Sequence, residues 1–316
     1  MSQDKPSRYA VLVNLAANDG RAAARWESIA REVLEHLPPD TVVRTFRPPE
    51  EVEGLVQTWL NQGVDAFISA GGDGSANFLL NLLMRHTGEH AEQLWLGGIG
   101  LGSSNDFVKP KEHFIQDLPI RLDVKTAAPA DVGKAEWQTE NRETHSRYFL
   151  ANASMGVTAN ANWLFNHGDA VIRFLKKRWT DGAILYAALR SILGHRNLHA
   201  LLAANDREYD IQLSNLAVLK SPYVSGSFCY DDPVTRNDGT LGINICTDMG
   251  IPGLIRVLYG LSKGRFRGSP HTLSFATSDL RVHTMHAAAL ELDGEVVQCR
   301  SVRFTVCPGA IRLMGL

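Results

Sequence analysis

The residues best suited to chemistry are three glycines, an aspartate and a serine that directly follow the apolar run Ala66–Ala70. They form the sequence Gly71-Gly72-Asp73-Gly74-Ser75. Leucines then recur at helical spacing from Leu79 onward, so the pattern predicts a buried strand, a glycine-rich turn and a helix. Glycine lets the backbone turn sharply and expose its N–H groups, and a helix N-terminus adds partial positive charge. The junction is therefore suited to bind a phosphate group.

Asp73 does not fit a phosphate site by itself, because a carboxylate repels phosphate. It fits if it bridges through Mg²⁺ or accepts a hydrogen bond from a ribose hydroxyl. The stretch is also typical of an ordinary strand-to-helix turn with Asp73 near the helix N-cap. The chain contains neither G-x-x-x-x-G-K-[S/T] nor a complete G-x-G-x-x-G, so these phosphate-binding motifs do not decide between the two interpretations.

A second stretch of similar composition follows another apolar run, Leu96–Ile99. It is Gly100-Leu101-Gly102-Ser103-Ser104-Asn105-Asp106-Phe107, again with small residues, hydroxyls and a carboxylate. Ligands of open α/β sheets bind at the carboxyl ends of the strands, where both stretches are expected to lie. The repetition favours a binding site over an ordinary turn.

Together the two stretches resemble motifs of the diacylglycerol kinase catalytic-domain family, which includes sphingosine, ceramide and bacterial lipid kinases. Gly71–Ser75 is similar to its G-G-D-G-T, and Leu101–Phe107 is similar to its L-G-T-x-N-D-F, with serine for threonine in both. The resemblance extends weakly over nearly the whole chain. It implies an ATP-dependent kinase that transfers the γ-phosphoryl group to a hydroxyl of a diacylglycerol- or sphingoid-like lipid, with Mg²⁺ as a further cofactor.

The resemblance also implies which residues bind the nucleotide. Asn14 corresponds to the asparagine of the family's first loop, N-P-x-S-G, whose proline and serine are replaced in this chain. The full set of expected nucleotide-binding residues is Asn14, Gly72, Asp73, Gly74, Ser75, Ser103, Asn105 and Asp106.

The candidate catalytic residues lie late in the chain, in Leu292-Asp293-Gly294-Glu295-Val296. The residues alone predict a type I′ hairpin turn, because Asp-Gly stands between alternating apolar residues. Lipid kinases of the family carry D-G-E there as catalytic residues. The resemblance thus implies that Asp293 accepts the proton of the acceptor hydroxyl, and that Glu295 orients Asp293 or balances its charge. A hairpin tip can present a carboxylate, so the two interpretations are compatible.

Another Asp-Gly turn lies within Thr235–Leu241. Bacterial relatives hold a structural Mg²⁺ there through an aspartate and nearby backbone carbonyls. The resemblance implies Asp238 as the carboxylate ligand, with the carbonyls of Thr235 and Thr240. An ordinary hairpin without metal remains the alternative.

Two groups of elements must position these residues. Strands alternate with helices up to about residue 127, which predicts an α/β domain with a parallel sheet. Short strands then predict an antiparallel, β-sandwich-like domain. We expect a nucleotide-binding domain over 1–127, to which residues 308–316 return by the resemblance, and a β-rich substrate domain over 128–307. Three predicted helices interrupt the second domain: Ala161–Trp179, Ala183–Leu193 and Ile251–Leu261.

The composition excludes several classes of protein. The 316 residues are 44% hydrophobic and 21% charged, which is typical of globular domains, and a net charge of −2 gives no field that would attract nucleic acid. The four cysteines lack C-x-x-C spacing and indicate free thiols in a reducing compartment. A polar N-terminus and the absence of 18 consecutive apolar residues predict a cytoplasmic protein, at most peripheral at the inner membrane.

Other interpretations remain open at this stage. NAD kinase shares G-G-D-G-T and would act on a soluble dinucleotide. The altered first loop also leaves open a nucleotide-binding protein that has lost transfer activity. The basic residues from Arg173 to Arg178 could contact anionic headgroups or form a solvated helix face. The expected partners are a lipid substrate and no nucleic acid, and a homodimer is left open.

Overall fold

The computed structural model describes residues 5–47 and 50–315. The chain divides into two compact units, one of residues 1–131 with 309–316 and the other of residues 132–308. The sequence analysis placed the domain boundary after residue 127 and expected the chain to return to the first domain from residue 308. That assignment stays a prediction. Residues 1–4, 48, 49 and 316 belong to the predicted first domain and lie outside the described residues.

The first unit alternates strands and helices. Its strands are β1 (Tyr9–Asn14), β2 (Val42–Phe46), β3 (Ala66–Gly71), β4 (Trp95–Gly100), β5 (His113–Ile115) and β6 (Leu118–Arg121). Its helices are α1 (Arg21–Glu35), α2 (Glu50–Asn61) and α3 (Asp73–Thr87), followed by a 3-10 helix over Gly88–Gln93.

The second unit is mostly strands. They are β7 (Asp123–Gln138, which begins in the first unit), β8 (Thr144–Phe149), β9 (Asn152–Gly156), β10 (Leu198–Ala204), β11 (Arg207–Leu219), β12 (Tyr223–Val224), β13 (Phe228–Cys229), β14 (Leu241–Thr247), β15 (Thr272–Thr277), β16 (Asp279–Leu292) and β17 (Glu295–Gly315, which ends in the first unit). The helices are α4 (Val157–His167), α5 (Ala170–Arg178), α6 (Thr180–Leu193) and α7 (Ile251–Leu261).

The sheet of the first unit is mixed rather than purely parallel. Strands β2, β1, β3 and β4 pair in parallel in that order, and Arg312 and Leu313 of β17 add a parallel pair to β4. Strand β6 runs antiparallel to β4 and forms a hairpin with β5. Only antiparallel strands can be joined by a turn as short as Gln116-Asp117, whereas parallel strands need a crossover. The prediction of a parallel sheet missed this hairpin.

Helices and strands of the first unit bury the faces that the sequence pattern indicates. Strands β3 and β4 are buried along their whole length, as expected for central strands with both faces covered. In α1 the buried residues Ala22, Trp26, Ile29 and Val33 recur at helical spacing and pack into the same core as β1 and β3.

In the second unit the described strand pairs are antiparallel. The sheet runs β15-β14-β11-β10-β16-β17, and β9 also pairs with both β11 and β16. The core is built from Phe149, Met155, Leu290, Leu292 and their neighbours. Cys246 and Cys299 are free thiols, and burial raises the pKa of each to about 12.

The single helix predicted over Ala161–Trp179 is wrong, because the chain forms two helices there. Gly168 ends α4, and a side chain at this position would collide with the carbonyl oxygen of Leu164. Asp169 then caps α5, since its Oδ1 accepts hydrogen bonds from the N–H groups of Val171 (3.0 Å) and Ile172 (3.1 Å). Within residues 5–47 and 50–315, no helix combines the length and apolar character that crossing a membrane requires.

Candidate functional site

Three loops of the first unit meet at one edge of its sheet. Strands β1, β3 and β4 are parallel neighbours, so the residues after Asn14, Gly71 and Gly100 lie side by side. The carbonyl oxygen of Gly71 accepts hydrogen bonds from the N–H groups of Leu101 (2.9 Å) and Gly102 (3.1 Å). The structure therefore brings together the loops that the sequence analysis selected.

Asn14 connects the first loop to the second. Its Nδ2 donates to Ser75 Oγ at 2.9 Å, and its Oδ1 accepts from the N–H of Ala16 at 3.0 Å. Because Ser75 Oγ is the acceptor in the first bond, its own O–H is oriented by Asn14 to donate elsewhere. Gly71 makes room for this hydroxyl, since a Cβ on Gly71 would collide with Ser75 Oγ.

The N-terminus of α3 lies at the same edge. Gly72 is its N-cap residue in an extended conformation (φ −95°), and no side chain caps the helix. An N-terminus without a side-chain cap keeps its partial positive charge for an anion. Gly72 to Ser75 are half-buried, so this helix end is partly accessible.

Asp73 ties the second loop to the third. Its Oδ1 accepts a hydrogen bond from the main-chain N–H of Phe107 at 2.8 Å. The carboxylate therefore has a structural role in addition to the Mg²⁺ or ribose contact predicted for it, and that contact stays a prediction.

Asn105 holds the third loop in shape. It is buried with a left-handed backbone (φ 55°), its Oδ1 accepts from Gly102 N at 2.9 Å, and its Nδ2 donates to the carbonyls of Gly100 and Gly102. The side chain is thus committed to the loop's own backbone, and its predicted contact with a nucleotide stays a prediction. Ser103, by contrast, is exposed at the tip of the loop.

Asp106 forms a buried ion pair that the sequence analysis missed. Lys109 Nζ lies 2.6 Å from Asp106 Oδ1, and the two side chains are only 8% and 7% exposed. A buried carboxylate needs a partner, and here an ammonium group balances its charge. The spacing of three residues in Asp106-Phe107-Val108-Lys109 was the available signal. The predicted contact of Asp106 with a nucleotide stays a prediction.

In the second unit Asp293 lies in the predicted hairpin turn. Leu292 pairs with Glu295, and both turn residues have positive φ, 46° for Asp293 and 94° for Gly294, as a type I′ turn requires.

The Asp293 carboxylate is turned inward rather than presented at an exposed tip. Its Oδ2 accepts from Leu150 N (2.6 Å), and its Oδ1 accepts from Ala151 N (2.9 Å) and Asn152 N (3.0 Å). The residue is buried. Three N–H donors hold the carboxylate and fix its position.

Sequence reasoning missed Glu291, which lies near Asp293. Glu291 is buried, its Oε2 accepts from Ser154 Oγ and its Oε1 accepts from Gly294 N, each at 2.6 Å. A glutamate among the apolar residues 287–292 was the signal. Glu291 therefore supports the turn. Glu295, which the sequence analysis expected to orient Asp293 or balance its charge, is exposed as the first residue of β17. A catalytic role for Glu295 stays a prediction.

Arg236, on the turn predicted to bind metal, is a further residue that the sequence analysis did not select. Burial lowers the pKa of the Arg236 guanidinium, and the nearby Asp293 carboxylate opposes that shift. The turn therefore places a positive charge within electrostatic range of Asp293.

The predicted metal ligands Thr235, Asp238 and Thr240 do not fit a divalent ion. The ammonium group of Lys220 donates to Asp238 Oδ1 (3.0 Å) and to the carbonyl oxygen of Thr240 (2.8 Å), two of the oxygens assigned to the metal. A second cation beside this ammonium would be repelled. Among the described residues no group of three or more His, Cys, Asp or Glu could hold a metal ion. The predicted metal site is thus not supported.

Comparison with known proteins matches both units. The family model described as "Diacylglycerol kinase catalytic domain" matches residues 8–134. The model described as "YegS C-terminal NAD kinase beta sandwich-like domain" matches residues 151–315, more than half of the chain.

Curated relatives are similar over most of their length. A "Probable lipid kinase YegS-like" from Pseudomonas aeruginosa strain PAO1 is 24% identical over 280 residues, which cover 87% of this chain and 84% of that protein. A protein of the same description from Alcanivorax borkumensis is 24% identical over 282 residues, covering 87% of this chain and 86% of the other.

A solved structure shares the fold. The crystal structure of a diacylglycerol kinase from Bacillus anthracis str. Sterne superposes with a TM-score of 0.69 at 16% identity. The superposition covers 99% of this chain and 98% of that one. Both units are thus matched by one known two-domain architecture.

Proposed function

Because the chain belongs to the diacylglycerol kinase catalytic-domain family, with a YegS-type second domain, we propose that it transfers the γ-phosphoryl group of ATP to a hydroxyl group of a lipid. The observation that supports this most is the joining of three loops at the N-terminus of α3. Asn14 donates a hydrogen bond to Ser75, and Asp73 accepts one from Phe107, so the three loops are held together at this helix end.

The first unit supplies the nucleotide site in this proposal. The positive end of α3 and the backbone N–H groups after Gly71 attract the phosphates, and Ser75 donates its O–H to a phosphate oxygen. Ser103, exposed on the third loop, adds a second hydroxyl. A Mg²⁺ ion bound with the nucleotide would neutralise phosphate charge, and we assign it no ligand in this chain.

In this proposal a residue of the second unit, Asp293, accepts the proton of the lipid hydroxyl. The lipid hydroxyl oxygen forms a bond to the γ-phosphorus, the bond from that phosphorus to ADP breaks, and the hydroxyl proton passes to Asp293. Three N–H donors hold this carboxylate in a fixed position. That suffices for phosphoryl transfer, because a loose transition state depends mostly on positioning and charge stabilisation.

The lipid identity of the acceptor is supported by an apolar and basic surface on α5. Phe174 and Trp179 are 64% and 61% exposed, and the basic residues Lys177 and Arg178 beside them are exposed as well. Apolar rings flanked by positive charge match the interface of an anionic bilayer. We propose that this surface brings the protein to its lipid, as a peripheral contact.

A soluble dinucleotide acceptor is the second candidate. The relatives named above are described as lipid kinases, and the D-G-E sequence at Asp293 favours the lipid side. A nucleotide binder without transfer activity is the third candidate, and labelled product from either acceptor would exclude it.

The test is transfer from [γ-³²P]ATP to a panel of extracted lipids and, separately, to NAD. Ser75→Ala removes the hydroxyl, whereas Ser75→Thr keeps it and restores the residue of the family motif, with space provided by Gly71. We expect labelled lipid, a loss of about 10- to 100-fold in Ser75→Ala by removal of a charge-assisted hydrogen bond, and near-normal activity in Ser75→Thr.

The alternative outcomes are distinct. Label in NAD and none in lipid would establish the second candidate. ATP binding without label in either acceptor would indicate a silent nucleotide binder. Equal activity of Ser75→Ala and wild type would remove Ser75 from the site.

A further inference from the structure

A buried lysine occupies the turn where the family resemblance implies a structural cation. Lys220 follows strand β11 and its side chain is 0% exposed. A buried ammonium is costly unless it is paired and hydrogen-bonded. Lys220 is fully buried at the Asp238 turn, so its ammonium group needs hydrogen-bond acceptors there, as a metal ion would need ligands.

The partners of the Lys220 ammonium are the kind of oxygens that bind Mg²⁺. It donates to one carboxylate oxygen, Asp238 Oδ1 at 3.0 Å, and to one backbone carbonyl, Thr240 O at 2.8 Å. Hard divalent cations also take carboxylate and carbonyl oxygens. The same two groups therefore satisfy either an ammonium or a metal ion, and not both at once.

The rest of the turn is folded around the Asp238 carboxylate. Asp238 Oδ2 accepts from the N–H (2.8 Å) and the hydroxyl (3.1 Å) of Thr235, and Oδ1 accepts from the N–H of Thr240 at 2.9 Å. Partial burial would raise the pKa of Asp238, but these N–H donors and Lys220 together lower it. The carboxylate is thus ionised and is matched by one positive charge.

We propose that the Lys220 ammonium serves as a built-in structural cation at the Asp238 turn, in place of the divalent metal ion that the family resemblance implies. The turn then keeps its shape without Mg²⁺. A covalently attached cation also cannot dissociate, so the second unit does not depend on the metal concentration around it.

The Lys220–Asp238 pair is connected to Asp293 through one peptide group. Lys220 N donates to the carbonyl oxygen of Ala151 at 2.8 Å, and the N–H of that same peptide group, which belongs to Asn152, donates to Asp293 Oδ1 at 3.0 Å. A shift of Lys220 would therefore displace a donor of the Asp293 carboxylate. This explains why a permanent cation is useful at this turn.

The test combines metal binding with thermal unfolding of the full chain, without nucleotide. Calorimetry should detect no Mg²⁺ binding to the wild type, and its Tm should be equal in EDTA and in Mg²⁺. Lys220→Ala should lower Tm by about 5 °C or more, since it leaves Asp238 unpaired. Mg²⁺ should restore part of that loss, because the variant opens the cation position.

Lys134→Ala is the matched control. Lys134 also pairs with a carboxylate, Glu136, at 2.7 Å in the second unit, but both side chains are partly exposed. The Tm of Lys134→Ala should not respond to Mg²⁺. If Lys220→Ala fails to fold, Lys220→Met fills the space without charge and should be destabilised without recovery in Mg²⁺.

The proposal is overturned if the wild type binds Mg²⁺ in calorimetry or gains Tm with it in the absence of nucleotide. It is also overturned if Lys220→Ala keeps the wild-type Tm, or if Mg²⁺ restores none of its loss. The wild-type titration decides the matter even if both Lys220 variants fail to fold. None of these results depends on kinase activity, so they stand apart from the proposed function.

Discussion

Gly72 and Gly102 lie against each other where the second and third loops meet. A Cβ on Gly72 would lie 3.2 Å from the Cα of Gly102, and a Cβ on Gly102 would collide with the Cα of Gly72. Backbone cannot yield as a flexible side chain can, so the contact requires glycine at position 102. The close approach fixes the edge at which the nucleotide is proposed to bind.

We predict that Gly102→Ala separates these two loops. The added methyl group should cost about 1–3 kcal/mol in the free energy of unfolding and weaken ATP binding at least about 10-fold. Urea unfolding and calorimetry with ATP measure the two effects. Gly54→Ala, on α2 with nothing within 4 Å of the new Cβ, is the control and should be neutral or slightly stabilising. Unchanged ATP affinity in folded Gly102→Ala would contradict the proposed site.

We predict that Lys109→Met is strongly destabilising. It leaves the Asp106 carboxylate buried without its ammonium partner, which typically costs about 3–5 kcal/mol. Adding Asp106→Asn in the same chain should recover much of this loss, because the buried carboxylate that lost its ammonium partner is then replaced by a neutral amide. Urea unfolding of the single and double variants measures the difference.

An exposed ion pair provides the comparison for Lys109. Arg31 and Glu35 on α1 are 94% and 63% exposed, so Arg31→Ala should change the unfolding free energy by less than about 1 kcal/mol. An equally small effect of Lys109→Met would show that Asp106 is stabilised by other groups.

Much of this site could be predicted from the sequence because its signals are local. The strand, glycine turn and helix around Asp73 follow from apolar spacing and glycine positions, and Asp293-Gly294 predicts its own turn. These patterns depend on neighbouring residues only, and they also identified the family.

The partners of the site residues could not be predicted in the same way. Asp293 is held by N–H groups of residues 150–152, and Lys220 reaches Asp238 only after the chain has folded. Such contacts are set by tertiary pairing, for which one sequence offers no periodicity. The metal prediction at Asp238 was made without Lys220, because Lys220 lies outside the turn motif. The β5–β6 hairpin was missed because its strands are very short.

We predict a pH effect from Asp238, whose pKa is lowered in the folded protein. A group with a depressed folded pKa stabilises the protein above its unfolded pKa, about 3.9 for aspartate, and loses that contribution as pH falls through the folded value. The stability difference between wild type and Asp238→Asn should thus be full at pH 7 and shrink below about pH 4. Denaturant unfolding at both pH values measures it, and a constant difference would contradict the assignment.

We predict that Phe174→Ser weakens binding to anionic vesicles. Burying a phenylalanine ring is worth about 1.5–3 kcal/mol, so the loss should be about 10- to 100-fold in partition coefficient. Sedimentation with phosphatidylglycerol vesicles, against phosphatidylcholine vesicles, measures it. Phe114→Ser, an exposed ring of the first unit (49%), is the control and should have little effect. Equal binding of both variants would exclude α5 as the contact.

We predict that Asp293→Asn lowers both stability and turnover. Aspartate offers two oxygens to three N–H donors, whereas asparagine has one oxygen, and its NH₂ group would face the N–H of Leu150. An unsatisfied donor costs about 1–3 kcal/mol in unfolding free energy. Exposed Glu295 is the control, and Glu295→Gln should change stability by no more than about 0.5 kcal/mol.

Turnover then separates a proton acceptor from a purely structural carboxylate at position 293. If Asp293 accepts the hydroxyl proton, kcat at saturating ATP and lipid should fall about 10²- to 10⁴-fold in the folded fraction of Asp293→Asn, with ATP affinity unchanged. If Asp293 only anchors residues 150–152, kcat per folded molecule should stay within a few-fold of wild type. The second result would remove Asp293 from the chemistry and leave its three hydrogen bonds as its whole role.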